Sequence, residues 1–361
     1  MDASFDRLQE LFGNLVEREP QERARLLEEL ARDEPELHAE VLDLLACHDE
    51  APAFLRDEAF APPQRVGPYR LIASVASGGS GVVYRAEQEQ PKRIVALKLL
   101  QASAIRPEHL ERFAVEIEVL GRLSHPSIAR IYDAGSFTTS YGAQPYIAME
   151  FVDGEAITHY ARRHGLDIDQ RCALLVQVCD AVQHAHERGV LHRDLKPANV
   201  FVTFVEGLGP TVKVLDFGIA RCMEADSSST LLTKTGQLLG TLPYMSPEQL
   251  EGTATDARAD VYALGVLLFE LLSGHVPLSL EGMSLSRVVE VVTRQEAPDL
   301  RKAVPGVAAD LALIVGKALS KDRAARYTSP AELAADLRRF AEDLPIVARR
   351  PTTLYRLRKF A

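Results

Sequence analysis

The chain has 361 residues, 47% of them hydrophobic and 25% charged, with 22 Gly and 20 Pro; this is globular composition, and the length calls for two or three compact units. Four cysteines without a CxxC pair exclude a disulfide scaffold and a zinc ribbon and make a reducing compartment the default. The net charge of −10 argues against nucleic acid as a partner, and it is concentrated: residues 1–60 hold about 17 acids against about 6 bases.

The N-terminus, MDASFDRLQE, carries acid where a signal peptide needs base and has no apolar core, which points to a cytoplasmic chain. Apolar residues at helical spacing (Phe5, Leu8, Leu11, Phe12 and Leu15, then Leu26, Leu27 and Leu30, then Leu37, Val41, Leu44 and Leu45) predict three short helices in an acidic region spanning 1–50. Their apolar stripes need burial, so this region is a candidate docking element for a partner or for the chain itself. Residues 51–68 are rich in Ala and Pro, lack periodicity and read as a linker.

From Tyr69 the pattern alternates. YRLIASV, GVVYRAE and RIVALKLL predict antiparallel strands, a helix is expected from about Pro107 to Leu123, and YIAMEFV at 146–152 reads as the last strand. Helices dominate beyond residue 155, where ALLVQVCDAVQHAHERG and ADVYALGVLLFELLSG are apolar enough to form the core of a larger lobe. The longest apolar run, 261–272, is shorter than the ~20 residues of a membrane span and contains Glu270. His184 and His186, two apart on a helix, face different ways and make poor metal co-ligands, while Cys172 and Cys179 on an apolar face read as buried thiols.

Several short motifs then occur in one order. SGGSGVVY at 77–84 has glycines at 78, 79 and 81, which let backbone amides approach phosphate oxygens. VALK places Lys98 on the next strand, and Glu116 in the following helix could hold that cation against the phosphates. In HRDLKPAN at 192–199, Asp194 suits the proton of a substrate hydroxyl, Lys196 a transferring phosphoryl group and Asn199 a metal ion; Asp216 of DFG offers a hard dication a carboxylate oxygen.

The ordered set resembles the eukaryotic-like (Hanks-type) Ser/Thr protein kinases, most closely those of bacteria. The resemblance covers about residues 69–343 and continues through GTLPYMSPEQ at 240–249, DVYALG at 260–265 and Arg326. It implies an α+β, bilobal protein-kinase fold with a small β lobe at about 69–149 and a large helical lobe at about 150–343. It also implies ATP and Mg or Mn in the cleft and protein substrates phosphorylated on Ser or Thr. The nucleotide set carried over is Ala76, Ser77, Gly78, Gly79, Ser80, Gly81, Val83, Ala96, Lys98, Glu116, Met149, Glu150 and Val152, with Asn199 and Asp216 on the metal. By the same resemblance Lys196 and Thr241 flank the acceptor hydroxyl, Glu248 pairs with Arg326, and Asp260 is a buried structural aspartate. Thr233 and Thr235 match autophosphorylation sites of bacterial relatives, where a phosphate could pair with Arg193. One departure is Ala76, which stands where the family's loop starts with Gly. A nucleotide-binding pseudokinase that serves as a docking scaffold is the rival reading. The basic stretch 344–361 reads as a tail, and a membrane enters only if the native chain continues past residue 361.

Overall fold

The computed structural model describes residues 64–78, 81–100, 117–139, 142–217 and 240–349, with isolated positions before them. The chain divides at residues 64 and 65 into two units, and the described elements belong to the second. Among the described residues no helix is long and apolar enough to cross a membrane.

The small lobe is an antiparallel sheet of β1 (Arg65–Val66), β2 (Tyr69–Gly78), β3 (Gly81–Gln88), β4 (Arg93–Leu100), β5 (Ile131–Thr139) and β6 (Gly142–Glu150), in the order β1-β2-β3-β4-β6-β5. Alternation along β4 explains its two faces. Val95, Leu97 and Leu99 join Tyr69, Tyr84 and Tyr146 in a core of the lobe's own, while Leu100, Ile147 and Met149 belong to the core of the large lobe. The sheet starts before Tyr69, since Val66 pairs with Tyr69 and is fully buried. The strand read at 146–152 runs from Gly142 to Glu150, and it is not the sheet's edge, because β5 pairs outside it. Residues 117–121, the described end of the expected helix, are helical.

The large lobe opens with β7 (Glu155–Ala156), α1 (Ile157–Arg163) and α2 (Ile168–His186), followed by the hairpin β8 (Val200–Val205) and β9 (Gly209–Val214). Then come the short α3 (Pro247–Leu250), α4 (Ala257–Ser273), α5 (Leu285–Arg294), α6 (Leu300–Ala303), α7 (Ala309–Ala318) and α8 (Pro330–Ala341). A capping box between Asp167 and Gln170 starts α2, and Gly274, at φ 84°, ends α4. The α4 helix is buried nearly all round, as its uninterrupted apolar run requires. Gly265 lies where it passes α7, and an added Cβ would stand 2.8 Å from that of Ala318. Cys172 and Cys179 are buried on α2, and burial pushes the Cys172 thiol up to about 12.

Candidate active site

Directly opposed residues of an antiparallel ladder share a face. Ala76 opposes Val83, Val83 opposes Lys98 and Ala96 opposes Met149, so five of the expected nucleotide residues lie on one side of the sheet. Ala76 is an exposed strand residue that follows a register shift between Ser74 and Ala76 and still pairs with Val83. Gly81 is different, because at φ 135° an added Cβ would sit 1.9 Å from the Leu99 carbonyl oxygen. Lys98 is buried, and its Nζ donates to Asp216 Oδ2 at 2.7 Å, which ties this face to the end of β9. Glu150 pairs instead with Lys213 at 2.7 Å, and Val152 follows in the crossover between lobes.

The loop before β8 supplies the other wall. Lys196 Nζ lies 3.0 Å from Asp194 Oδ2 and donates to Thr241 Oγ1 at 2.6 Å. Asn199 Nδ2 donates to the Asp194 carbonyl at 2.8 Å and to its Oδ2 at 3.0 Å. The backbone that presents these groups is strained, with Arg193 at φ 64° and Asp216 at φ 55°. Asp260 compensates from α4 by accepting the backbone N–H groups of His192 and Arg193, both at 2.8 Å, and His186 Nε2 lies 2.7 Å from the same carboxylate. Burial works against charge on Asp260, yet these bonds outweigh it and hold its pKa below the ordinary value. His192, fully buried between Asp260 and the Leu215 carbonyl, is pushed down by burial and stays neutral.

A third group fixes the segment after residue 240. Arg326 binds both oxygens of Glu248, at 2.7 and 2.9 Å, and Gln249 Nε2 donates to the Arg193 carbonyl at 2.9 Å. Among the described residues Asp194 Oδ1 is buried and accepts no hydrogen bond, so the cluster presents an acceptor prepared for an incoming donor.

The protein kinase domain profile matches residues 69–337. The chain belongs to the protein kinase family. Within it the chain falls in the bacterial Hanks-type Ser/Thr branch. It is similar to the serine/threonine-protein kinase PknB of Mycobacterium leprae, 38% identical over 286 residues covering 79% of this chain and 44% of that protein. It is also 38% identical over 266 residues to Pkn1 of Myxococcus xanthus, covering 73% of this chain and 37% of that one. The chain thus spans less than half the length of the curated relatives it matches. Among solved structures, the PknI kinase domain of Mycobacterium tuberculosis is 28% identical with a TM-score of 0.59, covering 78% of this chain and 100% of that domain. ATP and a divalent cation are general to the kinase family.

Of the residues expected at the kinase site, Gly79, Ser80, Glu116, Thr233 and Thr235 lie outside the described residues, as do most of the 51–68 linker, the tail from residue 350 and the N-terminal region apart from a few positions, of which Leu26, Leu27 and Leu30 are helical. Among the described residues Lys98 meets Asp216; its expected partner Glu116 lies outside them. Two groups that serve the kinase loop were not assigned a part in it from sequence. His186, read only as structural, braces Asp260, and Gln249 reaches the Arg193 backbone; nothing local marks them, because their partners lie 74 and 56 residues away.

Proposed function

We propose that the chain transfers the γ-phosphoryl group of ATP to Ser or Thr hydroxyls of protein substrates. The observation that carries this reading is the unsatisfied Asp194 Oδ1, held between Lys196 and Asn199 and completed by the Lys98–Asp216 pair. Asp194 accepts the hydrogen bond of the acceptor hydroxyl and orients its oxygen for attack. Thr241, bonded to Lys196, lines the approach of that hydroxyl, and the lysine ammonium stabilises charge on the phosphoryl oxygens in flight. Lys98 and the backbone amides of 78–81 hold the nucleotide phosphates, while Met149, Val152 and the backbone of Glu150 border its base. Most of the acceleration comes from positioning and fixed charge.

The donors fit a divalent cation. Asn199 commits its amide nitrogen to Asp194 and Asp216 commits Oδ2 to Lys98, which leaves hard oxygen atoms of both side chains, the ligands that Mg or Mn takes. When bound, the cation neutralises phosphate charge. The 38% identity to proteins named serine/threonine-protein kinases supports the acceptor class, and self-phosphorylation at Thr233 and Thr235, a docking role for residues 1–50 and a cytoplasmic site of action complete the proposal. Lys98, Glu116, Asp194, Asn199 and Asp216 are all in the sequence, and nothing favours the scaffold reading.

The test is the intact mass of the wild type beside Asp194→Asn, each incubated with Mg and ATP, followed by peptide mapping. Phosphate steps gained by the wild type alone, on Thr233 and Thr235, are the expected result. If neither protein gains mass nor labels a Ser/Thr peptide library, the proposal fails.

A further inference from the structure

The direction of the Asp194 side chain is set by the peptide that precedes it. Arg193 sits at φ 64°, a conformation that a residue other than glycine keeps only where its surroundings over-determine it. Asp260 accepts the Arg193 N–H at 2.8 Å and so fixes one side of that residue. On the other side the Arg193 carbonyl and the Asp194 N–H share one rigid plane. The N–H makes only a long bond, 3.3 Å to His192 Nδ1, and the carbonyl is the firmer hold, where Gln249 Nε2 donates at 2.9 Å.

Gln249 is the third residue of α3. Its Oε1 accepts the Ser246 N–H at 3.0 Å and the Ser246 hydroxyl at 3.1 Å, which closes the start of the helix. A glutamate would serve that cap equally well. An amide, unlike a carboxylate, accepts with one atom and donates with the other, and here the donor is turned inward onto the strained loop. The base from which it reaches is fixed, because neighbouring Glu248 is locked to Arg326 at 2.7 and 2.9 Å.

Lys196 and Thr241 also join the two segments, but through side-chain atoms. Gln249 instead holds the backbone from which the carboxylate extends, and a tilt of that peptide would move Asp194 Oδ2 against Lys196 and Asn199, each 3.0 Å away. We propose that Gln249 is a positioning residue for phosphoryl transfer, which aims the Asp194 carboxylate through the Arg193–Asp194 peptide and so makes the rate of transfer depend on the seating of α3. The proposal rests on the part given to Asp194 above.

Two substitutions in the full chain separate this role from capping. Gln249→Glu keeps the acceptor for Ser246 and sets an oxygen against the Arg193 carbonyl, whereas Ser246→Ala removes a bond of the cap and leaves the Gln249–Arg193 bond in place. In steady-state transfer to a peptide that the wild type labels, Gln249→Glu should lower kcat about tenfold or more, as misplacement of a reacting group does, with KM for ATP and for peptide within about twofold. Ser246→Ala should keep the wild-type values. Hydrogen exchange of residues 190–199 reads the same restraint without turnover: it should quicken in Gln249→Glu and not in Ser246→Ala. A Gln249→Glu kcat within about twofold of wild type, an equal loss in Ser246→Ala, or unchanged exchange overturns the proposal. If Gln249→Glu unfolds below the assay temperature, Gln249→Met, which also lacks the donor, takes its place under the same criteria. A wild type that transfers nothing marks a failure of the part given to Asp194, and the exchange comparison then decides the role of Gln249 alone.

Discussion

At the scale of single residues, Arg326 shows what a buried cation needs in order to be stable. A guanidinium has five N–H donors, and here Nε meets the Ser320 carbonyl, Nη1 meets Glu248 and the Arg258 carbonyl, and Nη2 meets Glu248 and the Lys321 carbonyl. Its side chain has no accessible surface, and the pKa of Glu248 is held below its ordinary value by these bonds in spite of burial. Removing one partner strands the other charge. Arg326→Met should therefore cost about 3–5 kcal/mol in urea unfolding, whereas Arg326→Met with Glu248→Met should cost clearly less than the single change. Equal losses in the two proteins would contradict this. Because Gln249, next to Glu248, bonds to Arg193, the single variant should also lose phosphoryl transfer below its unfolding midpoint.

At the scale of elements, legibility follows from how regular the burial is. Strand β3 could be read because it buries one face, which forces alternation, β4 because it is a largely apolar run buried on both faces from Leu97 to Leu100, and α4 because it is buried all round. The β5 strand could not, since Asp133, Gly135 and Ser136 interrupt its apolar pattern. Asp133 is tolerated there because its Oδ2 accepts the hydroxyls of Tyr69 at 2.9 Å and Tyr146 at 3.2 Å, partners that lie 64 and 13 residues away. The motif residues of the site were legible as types and the resemblance gave the Glu248–Arg326 pair, but the Lys98–Asp216 and His186–Asp260 pairings were not legible. The same limit applies at the C-terminal side, where the basic composition of 344–361 reads as a tail although residues 344–349 are part of the lobe. Asp336 of α8 is fully buried and accepts the Tyr327 hydroxyl, an Arg339 N–H and the backbone N–H groups of Val347 and Ala348, the last two at 2.8 Å. Ile346 is buried and Arg349 reaches Asp310 at 2.8 Å. A chain ended after Asp343 should lose about 2 kcal/mol, because the carboxylate loses two donors, and melt about 5 °C lower than a chain ended after Arg349. Identical melting curves for the two would show that this segment contributes nothing.

At the scale of the whole molecule, the titrating groups combine into a dependence of stability on pH with a definite sign. His125, His184 and His192 all have pKa values pushed below the ordinary 6.5, chiefly by burial. In the unfolded chain they take up protons at a higher pH than in the folded one, so stability falls as pH drops through about 6.5. Asp260 and Glu248 are also depressed, from ordinary values of 3.8 and 4.5, by bonds that overcome the burial opposing them. Their contribution is complete above those values and is lost as pH falls through the folded pKa, which adds a second, steeper decline. Glu270 acts in the opposite direction: burial raises its pKa above 4.5, against the bond that its Oε2 accepts from Tyr244, so protonation favours the folded form through that one group. Three histidines and two carboxylates outnumber it. The urea midpoint should therefore be highest near pH 7–8, decline between about pH 6.5 and 5 and collapse below about pH 4.5. A midpoint that stays level from pH 8 to 5 would mean that these imidazoles are as free to protonate in the folded chain as in the unfolded one, against the burial of His192 beside the loop that carries Asp194.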